Sequence, residues 1–96
     1  MRYYVEFYDY EESYPSLEEA VKGCVREMKR HDFYTHIPLY RDRGTQRPSG
    51  WVQTNGIRFF YVTFSKGRKT VKRLDDNGNF IHPRQNSLSL KRMYKY

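Results

Sequence analysis

Ser16-Leu17-Glu18-Glu19-Ala20-Val21-Lys22-Gly23-Cys24-Val25-Arg26-Glu27-Met28-Lys29-Arg30 decides the fold of this chain. Ser16 followed three residues later by Glu19 has the form of a capping box, in which the hydroxyl takes the N–H of residue 19 and the carboxylate reaches back to the N–H of residue 16. Leu17, Ala20, Val21, Cys24, Val25 and Met28 recur at three- and four-residue steps and form one apolar stripe. Glu18 and Glu19 complement the positive end of the helix, and Lys29, Arg30 and His31 its negative end. Gly23 in mid-helix costs about 1 kcal/mol relative to Ala. A close approach of helix to sheet would account for it. One amphipathic helix needs a second layer to cover its stripe.

That layer is legible on both sides. Residues 2–10 alternate: Tyr3, Val5 and Phe7 share one face, and Tyr4, Glu6, Tyr8 and Tyr10 the other, as on a half-buried strand. Glu11-Glu12-Ser13-Tyr14-Pro15 reads as its end. After the helix, residues 34–40 read as a strand with Ile37 and Leu39 inward. Pro38 lacks a ladder donor, which predicts an edge strand or one interrupted there. Residues 41–50, Arg-Asp-Arg-Gly-Thr-Gln-Arg-Pro-Ser-Gly, have no apolar anchor and predict a mobile basic loop.

Asn55-Gly56 has the form of a type I′ hairpin turn, joining Trp51–Thr54 to Ile57–Phe64. In the latter, Ile57, Phe59 and Tyr61 face one way and Arg58, Phe60, Val62 and Phe64 the other, as on a central strand. Ser65-Lys66-Gly67-Arg68 predicts a second turn, before a strand at about Lys69–Leu74. Asp75-Asp76-Asn77-Gly78-Asn79 predicts a third, before Phe80-Ile81-His82. Leu88, Leu90 and Tyr94 alternate as on a strand, although Leu90, Met93 and Tyr94 also fit a helix capped by Ser87. The expected fold is α+β. One helix in the N-terminal half packs on a mostly antiparallel sheet of about 4–6 strands, ordered β-α-β and then a meander, in one domain over residues 1–96.

The net charge of +7 is split unevenly along the chain. Residues 1–32 carry five basic and eight acidic side chains, net −3, and residues 33–96 carry thirteen and three, net +10. Segregation of this size predicts a field that attracts polyanions. It also predicts a basic face opposite a neutral or acidic one. Candidate phosphate contacts are Arg41, Arg43 and Arg47 in the loop and Lys66, Arg68, Lys69, Lys72 and Arg73 around one hairpin. Lys69, Val71 and Arg73 share a face of their strand. Tyr4, Tyr8, Tyr10 and Tyr94 fall where alternation predicts solvent. Rings interleaved with Arg suit base stacking on an open sheet, a protein interface, or cross-strand packing alone.

Other chemistry is not written in the sequence. Cys24 lies in the apolar stripe and reads as a core residue. His31, His36 and His82 lack metal-ligand spacing. Asp9, Glu11 and Glu12 read as solvated turn acids. Asp75–Asn79 has the start of a calcium loop, but Asn86 stands where the closing Glu belongs, so a side-chain-capped turn is the better account. The expectation is a non-enzymatic protein with no metal and no cofactor. A single Cys leaves no intrachain disulfide framework and fits a reducing compartment, so a cytoplasmic location is expected. The N-terminus has no apolar leader, and no apolar run approaches the ~18–20 residues of a spanning helix. The leading functional expectation is a nucleic-acid-binding accessory protein. The rival is a protein-interaction module or inhibitor, for example encoded by a phage or mobile element. Such a module would bind a larger protein or nucleoprotein complex, or pair with itself as a homodimer through its acidic and basic parts.

Overall fold

The computed structural model describes residues 2–42 and 47–81. The elements are β1 (Tyr3–Glu6), β2 (Glu11–Tyr14), α1 (Leu17–Arg30), β3 (His36–Tyr40), β4 (Gly50–Thr54), β5 (Phe59–Ser65) and β6 (Arg68–Leu74). They build one six-stranded sheet in the order β2-β1-β3-β4-β5-β6, antiparallel at every pairing, with α1 on one face. This is the α+β architecture expected of the sequence. Among the described residues, no helix is long and apolar enough to cross a membrane.

The helix begins at the expected N-cap, with the Ser16 half of the capping box formed. Ser16 has extended backbone, and its hydroxyl accepts the N–H of Glu19 at 3.2 Å. Ala20, Val21, Cys24, Val25 and Met28 point into the core, where they meet Val5, Phe7, Ile37, Leu39, Val52, Tyr61 and Leu74. The closest approaches of α1 are to β1, β2 and β4, and Tyr61 and Leu74 carry the helix-side core onto β5 and β6. Gly23 is explained by crowding: a Cβ there would overlap the hydroxyl of Tyr14 on β2. Burial pushes the Tyr14 hydroxyl pKa up to about 12, with Cys24 and Glu12 adding to the shift. Burial likewise pushes the Cys24 thiol far above its usual range, as befits a core residue rather than a nucleophile.

Four details depart from the sequence expectation. First, residues 11–14 are a strand, not a break, so two strands precede the helix. The chain reverses at Tyr8-Asp9, closed by the N–H of Phe7 donating to the carbonyl of Tyr10 at 2.8 Å. No non-glycine residue there has positive φ, so the turn leaves no residue signature.

Second, β3 is interior rather than an edge, and the interruption expected at Pro38 falls in its pairing with β1. It pairs with β4 over His36–Leu39 and with β1 through Tyr40 and Leu39. The carbonyls of Thr35 and Leu39 accept from Thr54 and Ser49, on the β4 side. Alternation therefore turns the nitrogen of Pro38 toward β1. The β1 pairing stops at Leu39, one residue short of Pro38, so the missing donor is tolerated at the end of a ladder.

Third, Asn55-Gly56 is not a type I′ turn. Thr54 pairs with Phe59 across a four-residue loop, and Asn55 does not have positive φ. Its side-chain oxygen accepts the N–H groups of Ile57 and Arg58 at 2.9 and 2.8 Å. The side chain substitutes for the backbone turn. The tight hairpin lies instead at Lys66-Gly67, where φ is 53° and 76° and Ser65 pairs with Arg68.

Fourth, Gly50 belongs to β4, which shortens the expected loop. Arg43 lies outside the described residues, as do His82, Tyr94 and the alternatives for 88–96. The third turn is as expected. Asp75 accepts the N–H groups of Asn77 and Asn79 through one oxygen, and the Asn79 amide through the other. Burial raises the Asp75 pKa, but these hydrogen bonds outweigh it, and the net shift is downward. The chain then returns along β6 with Phe80 bridged to Leu74.

Candidate nucleic-acid interface

Strand period two divides the sheet into a face under the helix and a second face. Register places His36, Pro38 and Tyr40 of β3, Trp51 and Gln53 of β4, Phe60, Val62 and Phe64 of β5, and Lys69, Val71 and Arg73 of β6 on the second face. Among the described residues no helix or strand lies over it. Val62 is fully buried on this side and does not belong to the helix-side core. Its cross-strand neighbours are Trp51 and Val71.

The aromatic side chains here form a row. His36 and Trp51 have ring centroids 5.2 Å apart, and Trp51 and Phe64 5.3 Å apart with planes 37° from parallel. The indole N–H donates to the Gln53 side-chain oxygen at 2.7 Å, which fixes the ring. Phe64 is 58% exposed and Val71 48%. Lys69 sits directly opposite Phe64 on the edge strand. The row thus runs from an imidazole, through an indole, to a phenyl ring whose cross-strand partner is Lys69.

The candidate cations divide around this face. Lys69 and Arg73 lie on it, and Arg73 is half-buried. Arg68 and Lys72 point to the other side of β6, where the Lys72 ammonium lies 5.8 Å from the Phe80 ring centroid. Lys66 is at the hairpin tip, in the left-handed conformation. Arg41 and Arg47 are exposed, on the connection between β3 and β4. Antiparallel pairing brings the end of β3, the start of β4 and the Lys66-Gly67 turn to one end of the sheet, so Arg41, Arg47, Lys66 and Arg68 share that end. Among the described residues no ion pair engages Lys66, Arg68, Lys69 or Lys72.

The cations do not all gather on one side. Lys22, Arg26, Lys29 and Arg30 line a cleft of about 340 Å³ beside Asp76, on the outer side of α1. Lys29 donates to the carbonyl of Asp76 at 3.0 Å. Counting charge along the chain hides this, because these four cations are cancelled in the sum by the acidic side chains of residues 1–32.

The tyrosine candidates also separate. Tyr4 lies on the second face, opposite Tyr40 and half-buried. Tyr8 and Tyr10 belong to the β1–β2 turn, at the end of the sheet away from the basic hairpin. The rings that accompany the cations are Trp51 and Phe64, neither of which is among the expected interface residues. Alternation does assign Phe64 to its face. Its partner across β4 depends on a loop length that the Asn-Gly signal puts at two residues.

Among the described residues, no group of three or more His, Cys, Asp or Glu side chains is placed to hold a metal ion. No family model, no curated protein and no solved structure matches this chain.

Proposed function

We propose that this protein binds single-stranded nucleic acid on the second face of its sheet, without catalysing a reaction on it. The observation that carries the proposal is the His36–Trp51–Phe64 row, with Lys69 the cross-strand partner of Phe64. Every base has a π-face, and stacking on an aromatic ring contributes about 1–3 kcal/mol per base. Phosphates between stacked bases need cations at the margin of the platform. Lys69 stands there, with Lys66 and Arg68 at the adjoining turn. A duplex would hide its base faces from these rings, which favours a single strand.

The decisive experiment is anisotropy of a labelled single-stranded oligonucleotide at increasing salt, repeated with the duplex. Binding that weakens steeply with salt, prefers the single strand and quenches Trp51 supports the proposal. A flat salt response would remove it. Binding with no change in Trp51 emission would leave the cations and displace the platform.

A further inference from the structure

At the far end of the sheet from the basic hairpin lies a second concave site of opposite character. It is a cleft of about 380 Å³ between the β1–β2 turn and the C-terminal end of α1. Tyr8, Asp9 and Tyr10 form one wall, and Phe33 and Tyr34 the other. The Tyr8 N–H donates to the Tyr34 hydroxyl at 2.6 Å, which ties the walls together. Tyr8 and Phe33 are 85% and 62% exposed, yet their rings stand edge to face with centroids 5.9 Å apart. His31 lies against Phe33 at 5.1 Å.

Glu27 reaches this cleft from the helix. It is only 6% exposed and is the one buried charged residue among those described. A carboxylate taken out of water needs a strong partner. Tyr10 donates a hydrogen bond to it. Its ion pair is with Arg30, through one guanidinium nitrogen at 3.3 Å, and the Arg30 side chain is 66% exposed. That separation is long for a charge-assisted hydrogen bond and uses one point of a fork that could bind at two. Asp9 adds a second carboxylate at the wall, and the end of α1 adds its partial negative charge.

We propose that this cleft binds a lysine or arginine side chain presented by a basic segment of a protein partner. The Glu27 carboxylate is its counter-ion, and the Tyr8 and Phe33 rings pack its stem and cation. Ring faces attract cations, and the carboxylates repel phosphate, so the site selects against the ligand proposed for the other face. Arg30 is the resident cation that a ligand displaces. The proposal stands independently of nucleic-acid binding, since the two sites share no residue.

The full chain, isotopically labelled, is titrated with the peptide acetyl-Gly-Lys-Gly-Arg-Gly-amide and, as control, with the same peptide carrying Glu at both charged positions. Amide shifts should concentrate at Tyr8, Glu27 and Phe33 with the basic peptide alone. Phe33→Ala removes an exposed ring, so the fold stays intact, and it should weaken binding about two- to five-fold. Arg30→Gln should tighten binding by about the same factor, because a competitor is gone. Glu27→Gln should abolish the shifts. The proposal is overturned if the acidic peptide binds equally well, if Phe33→Ala changes nothing, or if Arg30→Gln weakens binding. It is also overturned if these amides shift on diluting the free protein, which would make a second copy the occupant.

Discussion

The indole of Trp51 and the ring of Phe64 lie 5.3 Å apart on adjacent strands, two residues off direct register, since Trp51 pairs with Val62. This diagonal makes one continuous aromatic surface from two strands. Trp51→Ala and Phe64→Ala should each weaken single-strand binding by about 1–3 kcal/mol. Equilibrium titration against one oligonucleotide tests this, with circular dichroism confirming the fold. Weakening of less than twofold in both variants would show that bases do not stack there.

Lys66 and Lys69 flank that surface without an ion pair among the described residues. Replacing either with Ala should weaken binding to all sequences alike. It should also lower the slope of log K against log salt by about 0.7 for each phosphate that is no longer neutralised. A sequence-dependent effect would mean that the lysine reads a base rather than a phosphate.

Lys66 and Gly67 both have positive φ, and the β5–β6 register rests on that turn. Gly67→Ala places a side chain in a left-handed conformation and should cost about 1–2 kcal/mol. Urea denaturation measures it. Gly→Ala in an unconstrained loop would instead be neutral or stabilising.

Tyr14 packs against Gly23, and burial raises its hydroxyl pKa from the usual 10.0 to about 12. Between those values the unfolded chain gives up its proton while the folded chain keeps it. Stability contributed by Tyr14 is therefore complete below about pH 10 and is lost as pH rises toward 12. Tyr61 and Tyr10 are shifted in the same direction, in both cases chiefly by burial. Thermal melts across this range should fall steadily, and Tyr14→Phe should flatten the fall. An unchanged slope in that variant would assign the loss to the other tyrosines.

Much of the fold is legible in the sequence because its signals are local. The Ser16 cap, the apolar stripe of α1 and the alternation of β1, β3 and β5 each depend on residues within a few positions. The departures cluster where geometry is settled by distant partners. Tyr8-Asp9 turns without a glycine because the Phe7 and Tyr10 rings pack and Tyr34 holds the turn. Asn55 uses its side chain where a backbone turn is expected, and this moves the β4–β5 pairing by two residues. A shift of two keeps each side chain on its face, so faces can be read correctly while neighbours cannot.

The sequence by itself determined one amphipathic helix on an antiparallel sheet, and a chain whose basic residues follow its acidic ones. Periodicity and charge are properties of the chain, so they survive without coordinates. Only the tertiary structure decided that Trp51 meets Phe64, that Lys69 is the cross-strand partner of Phe64, and that Glu27 is buried among Tyr10, Arg30 and the turn beside Tyr8. Each of these is a meeting of residues from separate elements. Strand register and the reach of turns create such meetings, and both are set by packing of the whole sheet.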